Sequence, residues 1–242
     1  MRKGFGICCI ILGVCCLISS LGLIAYNRWE EEKAQDVSKN ILQDVQEDIQ
    51  DNTREESTSE ESTSEESTSE ESTSEESTSE ESTSEESTSE ESTSEESNQY
   101  TSEEISVDIP KEMLTTQVDG YDCIGVLSIP VLELELPVLT DWSYAKLKIA
   151  PCHYFGSCYE KDFVIAAHNY QSHFGRLSEL QPKDLILFTD ISGTVYCYEV
   201  VLLETLPANA TEEMITSGFD LSLYTCTPGG ASRVTVRCNV VE

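Results

Sequence analysis

Basic residues are scarce. The 242-residue chain carries 14 Lys and Arg against 46 Asp and Glu, a formal net charge of -32. Such a chain lacks the Lys/Arg clusters that nucleic acids and anionic lipid headgroups need, so neither is expected as a partner. Histidine is scarcer still, with only His153, His168 and His173. This leaves few candidates for proton transfer near neutral pH. Residues 57–96 contain no apolar side chain at all, being eight copies of Ser-Thr-Ser-Glu-Glu. A tract with nothing to bury cannot offset the entropy of ordering and reads as disordered. It holds 16 of the 46 acids, which leaves 30 against the 14 basic residues, so the remainder is acidic too. That charge favours solubility and self-avoidance.

One long apolar run is present, from Phe5 to Tyr26. At 1.5 Å per residue, 22 helical residues reach about 33 Å, enough for a bilayer core. Arg2 and Lys3 precede it, which by the positive-inside rule keeps the N-terminus cytoplasmic and sends the rest outside. Neither a short signal-peptide core with a small-residue exit nor a lipoprotein box is evident, because Val14 precedes Cys15. The reading is a single-pass, uncleaved signal anchor in the cell membrane.

Beyond it, Val37, Ile41, Leu42, Val45 and Ile49 recur at near-helical spacing. The expected order is a cytoplasmic stub (1–4), a transmembrane anchor (5–26), a juxtamembrane amphipathic or linker segment (27–56), the repeat spacer (57–97) and one folded domain (100–242). As a flexible coil the 40 repeat residues would average about 35 Å end to end. The spacer then reads as a tether lifting the domain off the membrane.

The last 120 residues punctuate like an all-β domain. Candidate strands are 124–129, 134–138, 162–167, 185–189, 194–203, 221–225 and 233–240, rich in Val, Ile, Leu, Thr and Tyr and separated by turn signals. Helical pieces are short: 143–149, 174–180 and 212–216. The spacing favours a barrel or sandwich over alternating α/β units.

Three of these strands end in chemistry. Residues 163–167 run into His168, 221–225 deliver Cys226, and Arg233 returns after the turn Thr227-Pro228-Gly229-Gly230-Ala231-Ser232. A thiol, an imidazole and a guanidinium supply a nucleophile, a proton donor and an anion holder, the parts of covalent acyl transfer. Rivals stand beside them. His153 and His173 compete with His168. Arg237 lies four residues after Arg233 and so on the same side of a strand. His168, His173, Cys152 and Cys158 form a loose potential zinc set. A Cys152–Cys158 bridge is an alternative use of those thiols. The other external cysteines, Cys123, Cys197 and Cys238, fit a reducing or anaerobic habitat.

These elements resemble the sortases, cysteine transpeptidases of Gram-positive cell surfaces. The resemblance covers Asp122 to Val240 and rests on Ile124-Gly125-Val126-Leu127-Ser128-Ile129-Pro130, Ala167-His168-Asn169-Tyr170, Leu177-Ser178-Glu179-Leu180 before Lys183-Asp184, and Leu223-Tyr224-Thr225-Cys226 with Arg233. It implies a closed eight-stranded β-barrel with short helices and the site at one rim. In it Cys226 is the nucleophile, His168 the general acid/base and Arg233 the oxyanion or substrate stabiliser, with Asn169, Tyr170 and Thr225 as substrate-binding candidates. Neither a cofactor nor a metal is implied. The implied partners are surface proteins with a Leu-Pro-x-Thr-Gly-like C-terminal sorting signal and an amine of a peptidoglycan precursor or stem peptide. Asp108-Ile109-Pro110 is not the lid of the pilin-polymerising members, and the His-Asn-Tyr string is closest to class B-like or related clostridial-type enzymes. Hydrolysis of the same signal, or a non-catalytic surface stalk or binding module, are the alternative functions.

Overall fold

The computed structural model describes residues 2–61 and 112–241. One α-helix, α1 (Arg2–Glu61), precedes nine strands: β1 (Thr116–Val118), β2 (Tyr121–Ile129), β3 (Leu134–Leu139), β4 (Cys152–Phe155), β5 (Phe163–Ala167), β6 (Leu185–Asp190), β7 (Val195–Pro207), β8 (Leu221–Cys226) and β9 (Ser232–Val240). A five-residue helix α2 (Thr211–Ile215) lies between β7 and β8, and 3₁₀ turns occupy Pro130–Leu132, Lys146–Lys148 and Leu177–Glu179.

The sheet order is β1-β2-β3-β4-β5-β8-β9-β7-β6, and β2 pairs again with β6. Eight strands thus close into a barrel, with β1 appended to β2. Closure is tight at Gly125, opposite Asp190. A Cβ there would lie 2.1 Å from the Thr189 carbonyl oxygen, at a φ of +151°, so only glycine fits. All seven expected strands exist. β1 and β4 were not foreseen, and the pieces at 143–149 and 174–180 are single 3₁₀ turns.

Side-chain alternation sorts the residues into two apolar clusters. Inside the barrel lie Leu127, Ile129, Phe163, Ile165, Phe188, Leu223 and Val236, among others. The second cluster is on the outer face, where Val126, Leu139, Ala150, Cys152 and Ile191 meet Ile41 and Val45 of α1. Cys158 belongs to the inner cluster and Cys152 to the outer one, and no disulfide joins them. The bridge considered between them is therefore not made. Burial pushes the Cys152 thiol up to about 12, and it stays protonated.

α1 runs unbroken from the apolar segment onto the barrel. Between residues 23 and 56 it contains neither glycine nor proline, so nothing interrupts the helical ladder. Over its first half it is long and apolar enough to cross a membrane and is not covered by the barrel. The same helix then docks through Ile41 and Val45, both fully buried. Asn52 Nδ2 donates to the Ile191 carbonyl (3.1 Å), and Thr116 Oγ1 donates to Asp48. The helix ends at Glu61, within the repeat; the remainder of the expected spacer, 62–97, lies outside the described residues.

Helix α1 and strand β1, on either side of residues 62–111, thus meet at the same barrel.

Candidate active site

β5, β8 and β9 are neighbours in the sheet. In the parallel pair, Ala167 is level with Thr225, so His168, one residue on, falls beside Cys226. In the antiparallel pair, Cys226 is directly opposite Arg233. At one strand spacing each, the three backbone positions form a row of about 10 Å across one rim. Alternation puts them on one face as well. Phe163, Ile165 and Ala167 of β5, Leu221 and Leu223 of β8, and Val236 and Cys238 of β9 fill the interior. His168, Cys226 and Arg233 take the opposite parity and project outward.

Cys226 is half-buried and free. Arg233 is half-buried, and its Nη1 donates to the Gly230 and Ser232 carbonyls at 3.1 and 3.2 Å. These bonds curl the guanidinium over the Gly229-Gly230 turn. Thr225 Oγ1 donates to the Ala167 carbonyl (2.9 Å) and is buried. It staples β8 to β5 immediately before His168 and also lines the cleft beside the thiol.

The His168 loop is compact. The Phe174 N–H donates to the His168 carbonyl (3.2 Å), and the Gly175 N–H to the Tyr170 carbonyl (2.8 Å). A Cβ at Gly175 would be 2.6 Å from the Asn169 and Tyr170 carbonyl oxygens, so the wrap needs glycine there. The Tyr170 ring stacks on His168, centroids 4.1 Å apart. Burial, and then the Lys148 ammonium, hold the His168 imidazole below its ordinary proton affinity, while Glu30 and Glu31 of α1 oppose them. Imidazolium is thus the minor form at neutral pH.

The rivals separate cleanly. His173 is fully buried, and burial lowers it to about 4. His153 points its two ring nitrogens at the carbonyls of Thr140 (3.1 Å) and Gly156 (2.7 Å) and stacks near Phe163, a structural placement. The loose zinc set is split by the barrel wall, with Cys158 inside and Cys152 outside. Arg237 shares the outer face with Arg233, as the strand period requires, but is 2% exposed beneath α2. There it meets Glu204 (2.8 Å), Ser222 Oγ (2.8 Å) and the Glu213 carbonyl (2.7 Å).

Two clefts open on the thiol. One, of about 210 Å³, is lined by Trp142, Tyr144, Tyr154, Met214, Tyr224 and Arg233 together with Cys226. Its aromatic wall is continuous: Trp142–Tyr154 centroids are 5.6 Å apart, and Tyr154–Tyr224 5.4 Å. The other, of about 260 Å³, lies between the His168 loop and the Cys226 turn and is lined by Asn169, Gln171, Ser178 and Thr227. None of the aromatic wall except Tyr224, in the variable slot before Thr225, was singled out from sequence. Trp142, Tyr144 and Tyr154 sit in irregular segments or on β4, where no periodicity marks a face.

The closed barrel sets the Cys226 thiol between His168 and Arg233 on one rim. Residues 127–241 match the family model described as the Sortase domain. No curated protein matches the chain. Solved structures it is similar to include sortase A from Corynebacterium diphtheriae (24% identity, 50% of this chain and 62% of that one, TM-score 0.46). Others are sortase C of Streptococcus pneumoniae (25%, 52% and 69%, 0.45) and a Clostridium perfringens sortase D5 transpeptidase (18%, 50% and 79%, 0.44). The chain thus spans under two thirds of the length of the Corynebacterium enzyme.

Proposed function

We propose that this protein is a membrane-anchored cysteine transpeptidase that transfers surface proteins to a cell-wall amine. A Leu-Pro-x-Thr-Gly-like C-terminal signal lies extended along the outer face, with apolar side chains against the Trp142–Tyr154–Tyr224 wall. The Cys226 thiolate attacks the Thr carbonyl, and the C–N bond breaks as the His168 imidazolium protonates the departing amine. Arg233 stays cationic at working pH and donates to the carbonyl oxygen as negative charge develops on it. An amine from a peptidoglycan precursor or stem peptide then attacks the thioester, His168 takes its proton, and the C–S bond breaks to release the Cys226 thiolate. Asn169 lines the cleft on the histidine side and is the substrate contact there. Tyr170 holds the His168 ring by stacking. The first half of α1 crosses the cell membrane with its N-terminus cytoplasmic and leaves the catalytic domain outside.

The observation that carries this reading is the shared row of His168, Cys226 and Arg233 on adjacent strands. Mass spectrometry of the full chain incubated with pentapeptide signals, with and without an added amine, tests it. The expected result is an acyl adduct on Cys226 that an amine consumes, yielding a peptide–amine product. Release of free acid alone, whether or not amine is present, would assign a hydrolase. A thiol that acquires no acyl group from any signal would leave a non-catalytic surface module.

A further inference from the structure

The loop carrying His168 is completed by a residue from the membrane-proximal helix. Within the loop, the N–H groups of His173, Phe174 and Gly175 are satisfied by its own carbonyls. Those of Gln171 and Ser172 point outward to a single acceptor, Glu31 Oε1 of α1, at 2.6 and 3.3 Å. The partners are 140 and 141 residues apart in sequence. The adjacent residue reinforces the contact. Glu30 accepts from Lys148 Nζ at 2.6 Å, and Lys148 ends the 3₁₀ turn whose Leu147 carbonyl accepts from the His168 N–H (3.2 Å). Glu30 and Glu31 are both half-buried, so their carboxylates are placed rather than free in solvent.

We infer that Glu31 is a positioning residue for His168, through which the juxtamembrane helix holds the proton donor in register with Cys226. Two N–H donors sharing one carboxylate oxygen form a charge-assisted clamp, stronger and more directional than neutral hydrogen bonds. The clamped segment starts three residues after His168 and reaches the Cys226 cleft through Gln171. Glu31 lies five residues beyond the apolar run, about 8 Å along the helix axis, so the clamp sits close to where α1 would leave a bilayer. The groups around His168 are Lys148 from the 3₁₀ turn, Glu30 and Glu31 from α1, Tyr170 and His173 from its own loop, and Cys226 and Arg233 from the neighbouring strands. Removing Glu31 takes away both the loop's external acceptor and one of the two negative charges that favour imidazolium.

The inference rests on the transpeptidase reading only for its kinetic part. The test uses the full chain in phospholipid nanodiscs, comparing Glu31→Ala and Glu31→Gln with Glu32→Ala, an exposed neighbour on the same helix. Amide hydrogen exchange at Gln171 and Ser172 should quicken about tenfold in Glu31→Ala and less in Glu31→Gln, which keeps a neutral acceptor oxygen. The His168 imidazole titration, followed by NMR, should move to lower pH in both. Cys226 acylation by a signal peptide should slow about tenfold in kcat with KM little changed, the loss expected for a misplaced proton donor. Glu32→Ala should match the parent in all three.

Unchanged exchange and unchanged titration in Glu31→Ala would overturn the inference. So would a lowered melting temperature with His168 titrating where it did, since that is what a merely structural contact gives. If the parent protein acquires no acyl group, the transpeptidase reading fails, while exchange and titration still decide the clamp.

Discussion

Arg237 is the residue whose loss should cost the fold most for its position on an outer surface. It is 2% exposed and gathers four acceptors from three elements: Glu204 on β7, Ser222 on β8, and the Glu213 and Met214 carbonyls of α2. Truncation to Ala orphans the buried Ser222 hydroxyl and two carbonyls, at about 1–3 kcal/mol for each group that water cannot reach. It also leaves Glu204 without its cation. Breaking a fully buried pair costs about 3–5 kcal/mol. Glu204 is 31% exposed, so its carboxylate rehydrates in part and the sum falls toward the lower end. We expect Arg237→Ala to destabilise by about 3 kcal/mol, a large share of the roughly 5–15 kcal/mol typical of a domain. With a urea slope of about 1–3 kcal/mol/M, the midpoint moves down by about 1–3 M. Tryptophan fluorescence of the full chain in micelles reads it, with Trp142 as the barrel's reporter. The double variant Arg237→Met, Glu204→Leu should regain most of the loss, because an apolar pair of similar volume avoids the desolvation cost. Arg237→Ala should also raise KM for a signal peptide more than it lowers kcat, since α2 presents Met214 to the Cys226 cleft. A midpoint shift under about 0.3 M, or a double variant no better than the single one, would refute the reasoning.

Ile41→Ala should cost about 2–5 kcal/mol as a cavity between α1 and the barrel, and Val45→Ala somewhat less. The two lie one turn apart in one cluster, so the double variant should fall short of the sum; urea titration of the full chain checks both. Arg233→Lys keeps the charge but loses the fork over the Gly229-Gly230 turn, and should lower Cys226 acylation about 100-fold with the melting temperature held. His173 is neutral and buried, with its proton affinity lowered to about 4. The unfolded chain therefore binds the extra proton first. Its contribution is whole above about pH 6.5 and is lost as pH falls toward 4, by about 3 kcal/mol at the limit. Thermal melts across pH 4–7 should show this slope, and His173→Phe should flatten it. Removing four of the eight repeats should leave both melting and acylation rate unchanged, because the flanking contacts at Asp48, Asn52 and Thr116 are kept.

The barrel was legible because its strands are aliphatic and evenly punctuated, and because period two assigns the faces. Arg233 and Arg237 were correctly expected on one side. What sequence could not supply was the cover over each. α2 roofs Arg237 and leaves Arg233 open, a difference made by five residues some twenty positions upstream. β4 escaped notice because Cys152-His153-Tyr154-Phe155 has no aliphatic alternation and pairs in parallel with β3 through one residue only. Thr225, a substrate-binding candidate from sequence, lines the cleft between the His168 loop and the Cys226 turn. Its hydroxyl also braces β5.

The N-terminal region shows the same limit more sharply. Val37, Ile41, Leu42, Val45 and Ile49 announced an amphipathic helix, but nothing in their spacing says what they cover. The answer lies in Val126, Leu139 and Ile191, outward-facing apolar residues that would be anomalous on a bare barrel. Once that face is matched to the helix, the anchor, the juxtamembrane segment and the barrel become mechanically continuous. Rotating α1 by one residue, about 100°, would carry Ile41 and Val45 off the barrel and Glu31 off the His168 loop together. The length of helix between Tyr26 and Ile41 therefore sets the distance from the apolar run to the docked barrel, and its phase sets which face of α1 meets the His168 loop. An insertion of one alanine after Gln35 should abolish the docked register while leaving helix content intact, whereas lengthening the repeat should do neither.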